Sequence, residues 1–270
     1  MRNQIPMVLL GSLCWIGPPA CVSADGGSRQ SAWSAPDDSA RRGQRWSSDR
    51  TAMATVEGAS VSDAAEPDAP VAVPPGEGGC ERVAHIGDSL TYHTSISLLA
   101  AYQRVGLRAV ISAYGGRAVL QKLPGDSATG EQAAAALRAN GFVGCWVVAL
   151  GTNDTANVAS GAEYSRAQAI DAMMTAIDPG ARARILWVNT FTTRTSGSWS
   201  NDNMIAWNEE LEKAKARWPN LRVFDWASIA RTGSAPLLDG IHYTDDGYEA
   251  RNAAIATAVV ELLGSTTKDR

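Results

Sequence analysis

The stretch VAHIGDSLTYH, residues 83–93, passes from an apolar, β-branched run through Gly-Asp-Ser into a run of helical character. It reads as a strand that ends near Gly87 and a helix that begins near Ser89. At such a junction, unpaired backbone N–H groups and the positive end of the helix dipole favour a developing negative charge. A serine there either caps the helix or attacks a carbonyl, and the stretch alone leaves both readings open.

Further apolar runs follow at 107–112 (LRAVIS), 145–150 (CWVVAL), 184–189 (RILWVN) and 221–225 (LRVFD), with segments of helical period between them. Thr129 with Gln132 and Ser160 with Glu163 have capping-box spacing. Asn140-Gly141, Asp178-Pro179-Gly180 and Pro219 supply helix stops, and a last helix is expected from after Thr244 to about Leu263. This alternation of strand and helix predicts a five-stranded parallel sheet covered on both faces, a three-layer α/β/α domain. In such sheets ligands sit beyond the carboxyl ends of the strands, near a switch in strand order. The loops there read GDSLT, AYGGRA, GTNDT, TFTTRTSGSWSND and LLDGIHYTDDGY.

A serine hydroxyl is a poor nucleophile until a base takes its proton, and the chain has three histidines. His85 lies within the first strand and reads as structural. His93 lies one helical turn past Ser89, but nothing near it in sequence would orient its ring. His242 stands in DGIH, three residues after Asp239, so a carboxylate can hold Nδ1–H and leave Nε2 for Ser89. An oxyanion would need donors, and the N–H of Ser89, the N–H of Gly116 and the side-chain amide of Asn153 are candidates. Each has a plainer reading too, because a Gly-Gly pair makes turns and Thr-Asn-Asp caps helices.

Together, GDSLT at 87–91, a glycine in AYGGRAV, GTND at 151–154 and DGIH at 239–242 resemble the four blocks of the SGNH hydrolases. These are also called the GDSL esterase and lipase superfamily. The resemblance covers about residues 80–265. It implies a flavodoxin-like sheet, Ser89 as nucleophile, His242 as base oriented by Asp239, and an oxyanion hole from Ser89, Gly116 and Asn153. Gly116 is preferred to Gly115 because it precedes the arginine of GGRAV, as the family's glycine often precedes a polar residue. No metal or organic cofactor is implied. The sequence departs from the α/β-hydrolase elbow, because Thr91 stands where that motif has its second glycine.

The ends of the chain are of a different kind. Residues 1–24 carry Arg2, a short interrupted apolar run and small residues at 22–24, the pattern of a secretory signal peptide cleaved near Ala24. Cys21 as a lipidated cysteine fits less well, since PPAC lacks the aliphatic residue expected three positions earlier. Residues 25–79 contain no Leu, Ile, Phe or Tyr and read as a disordered linker. The folded domain is expected over 80–265, with a short tail at 266–270.

Removing the leader takes Arg2 from a net charge of −4 and leaves −5, which argues against a nucleic-acid partner. No stretch is long and apolar enough to span a membrane stably. Of four cysteines, Cys80 and Cys145 would remain after cleavage. Each lies near the amino end of an expected strand, and in the order the resemblance implies these first and third strands are neighbours, so a Cys80–Cys145 disulfide is expected.

The expected protein is thus a monomeric serine esterase, secreted or associated with the cell wall. Its substrates would be small esters or acylated glycans carrying short acyl groups, acetyl among them. The alternatives are acyl transfer to a sugar hydroxyl, or a glycan-binding domain of the same fold without turnover. Arg194 and Trp199, in the polar loop after the fourth strand, favour a carbohydrate ester over a long acyl chain.

Overall fold

The computed structural model describes residues 80–125 and 127–264. The expected leader at 1–24, linker at 25–79 and tail at 266–270 lie outside the described residues. Five strands, β1 (Arg82–Gly87), β2 (Arg108–Ala113), β3 (Cys145–Ala149), β4 (Ile185–Val188) and β5 (Leu221–Phe224), form one sheet in the order β2-β1-β3-β4-β5. Every pairing is parallel. This is the expected flavodoxin-like α/β arrangement.

Among the described residues eight helices lie between and after the strands: α1 (Ser89–Tyr92), α2 (Ser95–Arg104), α3 (Gly130–Ala139), α4 (Thr152–Ala159), α5 (Arg166–Ile177), α6 (Asn201–Arg217), α7 (Trp226–Arg231) and α8 (Asp245–Leu263). The central strands β3 and β4 are buried along their whole length, while β5 and the start of β2, at the sheet edges, are only partly covered. Side-chain alternation along the strands divides the core in two. Val83, Val147, Leu186 and Val188 pack with Leu98, Tyr102, Ile255 and Val259 on one face. Ala84, Ile86, Val148 and Trp187 pack with Leu137, Ile170, Met173 and Trp207 on the other.

Local chemistry sets the element ends. The Thr129–Gln132 capping box forms at the start of α3. The Ser160–Glu163 box does not: Ser160 is instead the C-cap of α4, and the box at the next helix is Ser165–Gln168. The reason is that GTND does not merely cap a loop but opens a helix of its own, so Ser160 ends one helix and cannot begin another. The last helix starts after its cap Thr244 and ends at Leu263, as expected.

At the amino ends of the strands, Cys80 and Cys145 are joined by a disulfide with Cα atoms 5.7 Å apart. Cys145 is the first residue of β3 and pairs in register with Val83 of β1. The opposite, carboxyl ends of β1 and β3 flank the switch in strand order. Ser89 and Asn153 follow those two ends directly.

Candidate active site

The strand-to-helix turn after β1 frees a serine. Asp88, not Ser89, is the N-cap of α1, and its carboxylate accepts from Leu90 N–H at 2.9 Å. Ser89 Oγ is therefore available, and it lies 3.0 Å from His242 Nε2, across 153 residues of sequence. The glycine before this turn is a packing requirement, since a Cβ on Gly87 would lie 2.2 Å from Thr91 Oγ1.

His242 is presented by a tight excursion between Leu237 and Tyr243, which pair as an antiparallel bridge. Its Nδ1 lies 2.9 Å from Asp239 Oδ2. The other carboxylate oxygen accepts from the N–H groups of Ile241 at 2.9 Å and His242 at 2.7 Å. Burial pushes the Asp239 carboxyl up, but the His242 ring and these two N–H groups outweigh it and hold it down at about 2. It is thus a carboxylate through the neutral range.

Two further bonds hold this excursion from the loop after β4. Thr193 N–H donates to Gly240 C=O at 2.9 Å, and Arg194 Nη2 donates to Asp239 C=O at 3.3 Å. The Arg194 guanidinium thus reaches, through one of its nitrogens, the backbone of the segment that carries His242.

The second loop reaches the site through a turn. Arg117 N–H donates to Tyr114 C=O at 3.2 Å, with Gly115 and Gly116 at the corners. Gly116 has φ +76° and Gly115 does not have a positive φ, the pattern of a type II turn, which calls for glycine at the second corner. Gly116 is therefore the position where the backbone excludes other residues. Arg117 is buried and fastens the loop, donating through Nη1 to Ser112 C=O at 2.7 Å and through Nε to Ala128 C=O at 3.1 Å. Burial lowers its pKa to about 10.

Asn153 stands in the first turn of α4, and its amide Nδ2 donates to Arg117 C=O at 3.1 Å and to Asp88 Oδ2 at 3.4 Å. These bonds join the three loops after β1, β2 and β3. The glycine of GTND is again structural, because at φ +133° a Cβ on Gly151 would lie 2.4 Å from Trp207 Nε1.

The other two histidines sit as follows. His85 is fully buried, with Nδ1 2.8 Å from the Tyr102 hydroxyl and Nε2 3.2 Å from Thr91 Oγ1. Burial, with the charge of Arg251, lowers its pKa to about 3, as suits a neutral structural ring. His93 does not serve Ser89. Its ring stands edge-on to His242 with centroids 6.1 Å apart, and burial followed by the His242 charge lowers its pKa.

Sequence reasoning missed the carboxyls behind the site. Asp88 and Asp154 are both fully buried, and burial raises them to about 6 and about 7. Asp154 Oδ1 accepts from Val119 N–H at 2.8 Å, tying α4 to the loop after β2. Asp88 and Asp154 stand inside GDS and TND, but nothing in those motifs says which of adjacent polar residues turns inward.

Residues 85–250 match the model of the GDSL-like Lipase/Acylhydrolase family. The chain belongs to that family. Members are ester hydrolases, and this chain is a carboxylic ester hydrolase. No curated protein matches the sequence. Among solved structures, a putative arylesterase from Agrobacterium tumefaciens is similar at 19% identity and TM-score 0.56, over 68% of this chain and 100% of that one. A carbohydrate acetylesterase from Sinorhizobium meliloti is similar at 18% identity and TM-score 0.52, over 67% of this chain and 99% of that one. The C-terminal catalytic domain of a Streptococcus pneumoniae peptidoglycan O-acetyltransferase is similar at 15% identity and TM-score 0.52, over 69% and 96%. At these identities the likeness is one of fold. Among the described residues no helix is long and apolar enough to cross a membrane.

Proposed function

We propose that the protein cleaves carboxylic esters of short acyl groups through an acyl-enzyme on Ser89. The observation that carries this reading is the relay from Ser89 Oγ to His242 Nε2 at 3.0 Å and from His242 Nδ1 to Asp239 at 2.9 Å. Ser89 Oγ attacks the ester carbonyl carbon while Nε2 takes its proton. The ionised Asp239 holds Nδ1–H and stabilises the imidazolium that forms. The oxyanion is received by the N–H groups of Ser89 and Gly116 and by the Asn153 amide, whose longer bond, 3.4 Å to Asp88, is the one it gives up. His242 then protonates the departing alkoxide as the ester C–O bond breaks. Water, deprotonated by the same ring, attacks the acyl carbon, and the bond to Ser89 Oγ breaks as His242 returns the proton to Oγ and the acid is released.

The side chains of His242 and Asp239 are 32% and 45% exposed, so the relay is open to a substrate from solvent. The disulfide supports an exported protein, as such bonds persist in oxidising compartments. The same residues also permit transfer of the acyl group to a sugar hydroxyl, the reaction named for the Streptococcus pneumoniae neighbour. Product analysis with a sugar acceptor present distinguishes the two.

The test is hydrolysis of short-chain aryl esters by the purified protein. Ser89→Ala and His242→Ala are each expected to lower kcat by ~10⁴ or more. Retention of full activity by both would overturn the mechanism.

A further inference from the structure

A small cavity of about 10 Å³ lies within the domain, and Leu90, Thr152, Tyr243 and Arg251 are on its lining. Three of these are chain neighbours of residues at the site: Leu90 follows Ser89, Thr152 precedes Asn153, and Tyr243 follows His242. All three are buried, so the cavity adjoins the inner side of the site. Arg251 reaches it from α8.

Arg251 is only 3% exposed, and a guanidinium keeps its charge when buried. Nη1 donates to Leu90 C=O at the long distance of 3.4 Å, and Nε has no acceptor among the described residues. Asp88 feels this charge, but its oxygens bond to Leu90 N–H and the Asn153 amide instead. A buried charge left short of acceptors is strongly destabilising, so such a group calls for a ligand.

The remaining polar groups on the lining say which ligand. The Tyr243 hydroxyl already accepts from Trp226 Nε1 at 2.7 Å and has its own hydrogen to give. Thr152 carries a hydroxyl that can turn its hydrogen inward. Asn189 is engaged with Asp225 and Ala227 N–H, and the Thr190 hydroxyl with Asn208. Donors around a fixed positive charge suit a ligand that only accepts, whereas water has hydrogens to place as well. The volume admits a ligand of about one atom, too little for phosphate, sulfate or a carboxylate.

We infer that this cavity is an internal halide site, taken by chloride in ordinary salt, with Arg251 as its cation and Tyr243 and Thr152 as its hydroxyl donors. The ion joins α8 to the chain neighbours of Ser89, Asn153 and His242, and so braces the site from within.

Crystals of the wild-type protein soaked in sodium bromide, with diffraction measured at the bromine absorption edge, test the site directly. One anomalous peak is expected in contact with Arg251 Nε. In solution, the melting temperature is expected to rise saturably, by about 3 °C, as chloride replaces gluconate at constant ionic strength. Tyr243→Phe and Thr152→Val each remove a hydroxyl and keep the shape, and each is expected to raise the chloride concentration at half of that rise by about fivefold. A cavity that shows water and no bromine signal overturns the site. A bromine peak with identical melting in chloride and gluconate means an adventitious ion only, and overturns it too. Both wild-type readouts stand even where a variant does not fold. Neither needs ester turnover, so their failure leaves the ester-cleaving reading intact, and a chain inert towards esters can still hold the ion.

Discussion

Asp88 and Asp154 stand directly behind the serine and the asparagine, and their burial has a consequence for stability opposite to that of Asp239. A carboxyl raised by burial to about 6 or 7 binds its proton more tightly in the folded chain than in the unfolded one, where the value is near ~3.9. Stability from these groups is therefore greatest at low pH and declines as pH rises from about 4 to about 7. Asp239, held at about 2, contributes stability above the unfolded value that is lost as pH falls from about 4 towards 2. The two effects place the maximum of these contributions near pH 4, at about the unfolded carboxyl value. Asp154→Asn keeps an acceptor for Val119 N–H and removes one titrating group, so thermal melting of this variant between pH 5 and pH 8 is expected to show a shallower decline than wild type. Identical slopes would mean that Asp154 does not carry the burden assigned to it.

At the scale of elements, the turn after β2 decides which glycine the site needs. Gly116 has φ +76°, and a Cβ there would also come within 3.3 Å of Leu123, whereas a Cβ on Gly115 would meet nothing within 4 Å. Gly116→Ala is expected to destabilise the turn by about 1–2 kcal/mol and to depress kcat, while Gly115→Ala leaves both within a factor of about three. Denaturant melts and initial rates on an aryl ester check this; the reverse ranking would move the oxyanion donor to Gly115.

Elements were legible in the sequence to the extent that their signals were local. Each of the five strands was visible as an apolar run, and the caps at Thr129 and Thr244 acted where they were read. The Ser160–Glu163 box failed because its spacing is also met at the end of α4, a helix too short to show its own periodicity. His242 could be chosen because Asp239 is three residues away. The placing of His93 beside His242 and of Tyr92 beside Tyr114 depends on contacts between loops, which no local pattern encodes.

The described domain carries its candidate site at one end of the sheet and its covalent brace at the other. The disulfide bridges 65 residues across the amino ends of β1 and β3, and Ser89 and Asn153 follow the carboxyl ends of the same two strands. On the chain-entropy model such a loop contributes about 4 kcal/mol by restricting the unfolded chain. Cys80→Ser with Cys145→Ser is therefore expected to lower unfolding free energy by about that amount in denaturant while leaving kcat for a small ester unchanged below the melting transition. A loss of activity without loss of stability would show that the brace shapes the site directly.

The central claim is that Ser89 is the nucleophile and that His242, 153 residues away, makes it one. Stoichiometric reaction with a phosphonate ester, followed by intact-mass and peptide mapping, tests it directly. One phosphonyl group per chain, located on Ser89, is expected as esterase activity reaches zero, with no label on Ser89→Ala and slow labelling of His242→Ala. Inactivation accompanied by a label on another residue, with Ser89 unmodified, would contradict the account.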